Sequence, residues 1–155
     1  MKSRFMRAAI RISLDKMRRN HGGPFGAIVV KGNRIIGRGW NRVTSANDPT
    51  AHAEVMAIRD ACRRLQTFAL EGCEIYTSCE PCPMCLAAIY WARLQRVYFG
   101  NARKDAARVG FDDDLLYREL ARPVSKRSLP MKRLLVAEAR AAFAEWQRKP
   151  DKIPY

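Results

Sequence analysis

The pairing of His52-Ala53-Glu54 with Pro81-Cys82-Pro83-Met84-Cys85, after an intervening 26 residues, restricts the folds open to this chain more than any other feature. Two cysteines three apart on the opening turn of a helix project to one side, and an imidazole from a second helix start can complete three corners of a tetrahedron. The fold must therefore bring two helix N-termini to one point. The fourth corner stays open, which separates this set from a structural zinc site, where four protein ligands close the shell. Two thiolates neutralise the charge of a zinc ion. Water in the open corner is then acidified toward neutrality, so hydroxide is available without a strong base in solution. The partial positive charge of the helix starts favours the thiolate forms of Cys82 and Cys85. Glu54, two residues from His52 and turned to another direction on the same turn, is the candidate general acid and base. The helix macrodipole alone would explain a lone glutamate there, but not the whole set.

Hydrophobic periodicity supplies the elements that would hold these motifs. Phe5, Ala8, Ala9, Ile12 and Met17 recur at roughly helical spacing between Arg4 and Arg19, so an amphipathic first helix is expected, ended by His21-Gly22-Gly23-Pro24. Residues 25–31 (FGAIVVK) and 35–40 (IIGRGW) flank the turn-prone Gly32-Asn33 and predict a β-hairpin. The stretch 45–50 (SANDPT) precedes AHAEVMAIRDACRRL, which continues in helical register with His52 and Glu54 in its first turn. A strand over 73–77, a helix over 83–93 and a strand over 94–100 follow. The order helix, hairpin, helix, strand, helix, strand predicts a three-layer αβα domain of the α/β class. Its mixed central sheet, of about five strands, joins the antiparallel hairpin to parallel βαβ steps. Beyond Asn101 the pattern weakens: 111–120 reads as a short helix, 122–130 as a proline-punctuated linker, and 133–147 as a strand or a helix.

A chain of 155 residues supports one compact domain. No apolar run is long enough to cross a bilayer and the N-terminus lacks a signal-peptide pattern, so a cytoplasmic protein with no membrane partner is expected. Three of the five cysteines, Cys79, Cys82 and Cys85, crowd into seven residues, which favours metal ligation over disulfides. The 29 Lys and Arg outnumber the 15 Asp and Glu, a balance that attracts polyanions. The basic residues are scattered along the chain without a basic tail, and a solvated surface accounts for them at least as well as a nucleic-acid face.

His-x-Glu followed by Pro-Cys-x-x-Cys is the signature of zinc nucleobase deaminases, and the chain resembles the cytidine and deoxycytidylate deaminase superfamily. Within it the nearer likeness is to bacterial guanine deaminases. It covers essentially the whole chain, through residues 22–30 (GGPFGAIVV), 47–54 (NDPTAHAE), 76–85 (YTSCEPCPMC), 88–93 (AIYWAR), 110–113 (GFDD) and a terminal Tyr155. The resemblance implies a cytidine-deaminase-like fold, one zinc ion per subunit held by His52, Cys82 and Cys85, and hydrolysis of guanine to xanthine and ammonia with Glu54 as proton shuttle. It also implies that Asn41 and the backbone of Ala53 hydrogen-bond the base, that Phe25 and Trp91 pack around the ring, and that Asp113 and Tyr155 contact the purine edge. Planar heterocycles favour aromatic walls, and guanine offers donors and acceptors to an amide, a carboxylate and a phenol. Glu80 is a further candidate, as a group assisting proton transfer or positioning the site. The resemblance implies a homodimer in which residues from about 131 to 155 are exchanged, so that the tail closes the partner's site.

Other readings share parts of this evidence. Guanosine or an aminotriazine such as ammeline presents a similar amine-bearing edge. The basic charge would suit a tRNA adenosine deaminase, against which stand Tyr90, Trp91 and the GFDD segment. A non-enzymatic zinc module would need a fourth ligand, for which Cys79 is the candidate.

Overall fold

The computed structural model describes residues 2–155, which divide after Asp113 into two compact units. The first unit is built on a four-stranded mixed sheet. Strands β1 (Gly26–Lys31) and β2 (Arg34–Trp40) form the expected hairpin, with Gly32 at φ +58° in the turn, a conformation glycine adopts without strain. Strand β3 (Cys73–Cys79) pairs antiparallel with β1 and parallel with β4 (Arg96–Asn101).

Helices cover both faces of this sheet, and the period-two alternation of β1 and β3 feeds both. Ile28, Val30 and Tyr76 turn to one face, where they meet Phe5 and Ala9 of α1 (Lys2–Arg18). Ala27, Val29 and Ile75 turn to the other, where they meet Ala53, Ala57 and Ala61 of α3 (Ala53–Leu65) and Ile89 of α4 (Pro83–Trp91). The three layers predicted from the sequence are therefore present. Two short helices were not anticipated, α2 (Val43–Ala46) and α5 (Arg103–Arg108).

Glycine sets how closely α3 approaches the sheet. A Cβ on Gly39 would lie 2.1 Å from the Ala53 carbonyl oxygen, and one on Gly37 would lie 2.5 Å from that of Ala57. These two positions let the first turns of α3 rest on β2, fixing the height at which His52 and Glu54 stand.

The second unit holds α6 (Asp114–Ala121), a 3-10 turn (Val124–Lys126) and α7 (Val136–Arg148). The expected count of about five strands is corrected here: the sheet has four, and no fifth strand occurs among the described residues. The segment left open between strand and helix, 133–147, lies mostly in α7, VAEARAAFAEWQR. Its five alanines lose no side-chain entropy in a helix, and only Val136 is β-branched. Among the described residues no helix is long and apolar enough to cross a membrane.

Candidate active site

Both motifs sit at helix N-termini. His52 is the N-cap of α3 and Cys82 the N-cap of α4, each in extended backbone, and neither side chain caps its own helix. Pro83 occupies the first turn of α4, where its missing N–H is not needed, and Cys85 follows one turn along. The side chains are thus left free to converge. His52 Nδ1 lies 3.6 Å from Cys82 Sγ and 3.5 Å from Cys85 Sγ.

These separations test whether zinc fits. Zinc–nitrogen bonds of about 2.0–2.1 Å and zinc–sulfur bonds of about 2.3 Å, set at the tetrahedral angle, place nitrogen and sulfur about 3.6 Å apart. The site meets that requirement and can hold one zinc ion. Among the described residues this is the one group of three or more potential metal ligands, and Cys79 is not in it. The Cys79 sulfur is directed at the Ala102 carbonyl, 3.9 Å away. The closed four-ligand site therefore lacks its fourth member, and one tetrahedral corner remains for water.

Glu54 borders that corner. Its carboxyl is buried, with Oε2 3.4 Å from Cys85 Sγ and Oε1 accepting the Thr77 hydroxyl at 3.1 Å. Burial is the main reason its proton affinity is raised, ahead of the opposing hydrogen bonds from its own backbone N–H, Cys85 and Thr77. The two cysteines are driven apart. A hydrogen bond from Cys85, aided by one from His52, brings Cys82 down to about 4, whereas Cys85 is pushed up as the donor to Cys82. His52 is raised by its hydrogen bond with Cys82.

The other predicted residues are spread more widely. Asn41 is buried, and its Oδ1 accepts the N–H groups of Gly23 at 3.3 Å and Val43 at 3.2 Å. Its amide nitrogen keeps both hydrogens free of protein partners among the described residues. Ala53 is fully buried and opens α3, where backbone N–H groups lack intrahelical acceptors. The Phe25 ring meets Phe111 edge-on, with centroids 4.8 Å apart. Burial raises the proton affinity of Asp113, whose Oδ1 sits 3.7 Å from Arg103 Nε. Glu80 lies two residues before Cys82. Its Oε2 accepts the Arg103 backbone N–H at 2.9 Å, tying down the start of α5. Trp91 ends α4 and is 68% exposed. Nine residues of helical rise separate it from Cys82, roughly 13 Å along the axis. Tyr155 belongs to the second unit.

Three neighbours of these groups escaped the sequence reading. Thr77 had a visible signal, since Thr77-Ser78 is a polar pair following the apolar Ile75-Tyr76 and leading directly to Cys79-Glu80-Pro81. Phe111 stood inside the GFDD segment without being singled out, and Arg103 had no signal, because it lies where hydrophobic periodicity fades.

Comparison with known proteins agrees with this geometry. Residues 1–101 match the family model of the cytidine and deoxycytidylate deaminase zinc-binding region. The chain is 45% identical over 151 residues to the guanine deaminase of Bacillus subtilis, covering 97% of each protein. The X-ray structure of guanine deaminase from Bacillus subtilis matches with a TM-score of 0.96 at 44% identity, over 99% of this chain and 98% of that one. The tRNA-specific adenosine deaminase of Aquifex aeolicus is 51% identical over 81 residues, which is 52% of this chain and 54% of that protein.

Proposed function

We propose that this chain, a member of the cytidine and deoxycytidylate deaminase family, hydrolyses guanine to xanthine and ammonia. The observation that carries the reading is the open tripod of His52, Cys82 and Cys85 with the buried Glu54 carboxyl beside it. Similarity to a guanine deaminase over 97% of the chain supports the choice of substrate, whereas the sequence match to the tRNA-specific adenosine deaminase of Aquifex aeolicus covers 52% of it.

Zinc bound at the tripod supplies a water acidified enough to act as a nucleophile near neutral pH. Glu54 Oε2 takes a proton from the attacking water and delivers it to the ring nitrogen next to C2, as the C2–O bond forms. Glu54 then takes the remaining proton of the new C2 hydroxyl and passes it to the exocyclic nitrogen, so that the C2–N bond breaks, ammonia leaves and C2=O forms. Burial keeps the carboxyl's proton affinity high, which suits a group that must hold a proton between two transfers. Thr77 holds Oε1, leaving Oε2 to face the reaction.

The substrate is held by groups of matched polarity. The Asn41 amide and the Ala53 N–H donate to the base, the Asp113 carboxylate accepts from a ring N–H, and Phe25 walls the ring, whereas Trp91 stands too far along α4 to join it from the same chain. Tyr155 contacts the purine edge from a segment, residues 131–155, exchanged within a homodimer. Phe143 and Leu135 in that segment are 79% and 69% exposed, as expected of side chains that a second copy covers. Such an enzyme works in the cytoplasm.

Ammonia release by the zinc-loaded protein, offered guanine, guanosine, ammeline and a tRNA anticodon stem-loop in turn, tests the reading. Release from guanine in preference to the others is expected. Turnover of the RNA with silence on guanine would overturn it.

A further inference from the structure

We infer that Arg103 is a positioning and specificity residue that acts through Asp113: from the start of α5 it orients the Asp113 carboxylate to accept a purine ring N–H, selecting against rings that present a lone pair there. The inference rests on the guanine deaminase reading and on Asp113 lying at the substrate edge.

The contacts form a chain that begins at the zinc motif. Glu80, two residues before Cys82, donates its N–H to the Asn101 carbonyl at 2.8 Å, and its carboxylate accepts the Arg103 N–H at 2.9 Å. Asp105 secures the preceding peptide by accepting the Ala102 N–H at 3.0 Å. The backbone of Arg103 is therefore fixed relative to the loop that carries the metal ligands. From this anchor its Nε lies 3.7 Å from Asp113 Oδ1, with side-chain exposures of 34% and 19%. At that distance and burial the pair is held by charge in a partly desolvated setting, where attraction exceeds that of a surface ion pair.

The charge has a definite task. Burial pushes Asp113 toward its protonated form, and the neighbouring Asp112 charge pushes the same way. Arg103 is the side chain that opposes them. An ionised carboxylate only accepts hydrogen bonds, whereas a carboxylic acid also donates. With Arg103 in place, Asp113 accepts the N–H of guanine and repels a ring whose nitrogen lone pair faces it. Sites built to pair a substrate N–H reject analogues lacking it far more strongly than apolar pockets reject a changed shape.

Four zinc-loaded full-length variants test this: Arg103→Met, Arg103→Lys, Asp113→Asn, and Arg103→Met combined with Asp113→Asn. Arg103 is a third exposed, so its replacement leaves the core intact. Carboxyl-carbon NMR of the substrate-free protein should find the Asp113 titration moved upward in Arg103→Met and largely restored in Arg103→Lys. An unmoved titration overturns the inference. In kinetics, Arg103→Met should raise the KM for guanine roughly tenfold with little loss of kcat, and should add nothing in the Asp113→Asn background. Additive losses would mean that Arg103 does not act through Asp113. A parental protein that turns over no guanine would instead bring down the deaminase reading, and the recognition role with it. Parental turnover combined with additive losses overturns only the role of Arg103.

Discussion

Thr77 donates its hydroxyl to Glu54 Oε1 over 3.1 Å, joining the buried middle of β3 to the first turn of α3. Thr77 is 1% exposed, so the bond is sheltered from water and fixes which carboxyl oxygen faces the tripod. Thr77→Val keeps the shape and removes the donor, leaving Oε1 without its partner. We expect kcat to fall roughly tenfold with zinc content and KM near parental values, and Thr77→Ser to recover most of the loss. Unchanged turnover in the valine variant would show that Glu54 needs no such support.

The ligands and the proton shuttle should separate cleanly. Replacing His52, Cys82 or Cys85 by alanine removes a corner of the tetrahedron, so the purified protein should lose its zinc and melt at a lower temperature. Cys79→Ala should retain zinc, because that sulfur points to Ala102. Glu54→Gln should retain zinc yet lose at least about a hundredfold in turnover, the usual scale of general acid–base catalysis. Metal analysis beside ammonia release reads both effects, and parental activity in Glu54→Gln would remove Glu54 from the mechanism.

Gly39→Ala tests how the site is supported. The added methyl would meet the Ala53 carbonyl at 2.1 Å, so β2 and the start of α3 must part. Overpacking of this kind costs about 1–3 kcal/mol. Urea unfolding should register that loss together with weaker zinc retention, since His52 rides on the displaced turn. A stable variant with full zinc affinity would mean that the turn relaxes without disturbing its ligand.

Acid should weaken the same contact. Burial of Asp60 opposes its ionisation, but Arg63, the Arg38 N–H and Arg64 together outweigh it and hold the carboxyl below its usual value of 3.8. The Arg38 bond, 3.0 Å long, ties α3 to β2. A carboxyl depressed in the folded state contributes stability above its unfolded value, and that contribution is lost as pH falls through the folded one. Denaturation curves from pH 6 down to about 3 should therefore slope less steeply for Asp60→Asn than for the parent. Parallel curves would mean that Asp60 titrates alike in both states.

The parts legible in the sequence are those in which chemistry and periodicity coincide. His52 and Cys82 declared themselves because metal-ligand residue types stood at helix starts, and β1 because FGAIVVK beside Gly32 has few conformations open to it. The same logic failed where the signal was compositional. Residues 136–148 carry Val136, Phe143 and Trp146 among alanines, a mixture that leaves strand and helix open until alanine's propensity decides for the helix. Arg103 was illegible for another reason. Its position depends on Glu80 and Asp113, one 23 residues earlier and the other 10 later, and no local pattern encodes such a contact.

Exchange of the C-terminal segment can be tested by mixing two inactive proteins. A chain lacking residues 131–155 keeps His52, Glu54, Cys82 and Cys85 but has no Tyr155 to lend, whereas Glu54→Gln has the tail but no proton shuttle. If each tail completes the partner's site, a heterodimer contains one site with both defects and one with neither. Random pairing makes about half of the dimers mixed, each with one intact site of two, so ammonia release should recover to about a quarter of the parental rate. If each tail instead served its own chain, every site in the mixture would carry one defect, and no activity would return at any ratio. The mixing must follow joint refolding, because preformed dimers exchange subunits only as fast as they dissociate. Recovery after joint refolding, and its absence when separately folded proteins are briefly mixed, would establish both the dimer and the exchange.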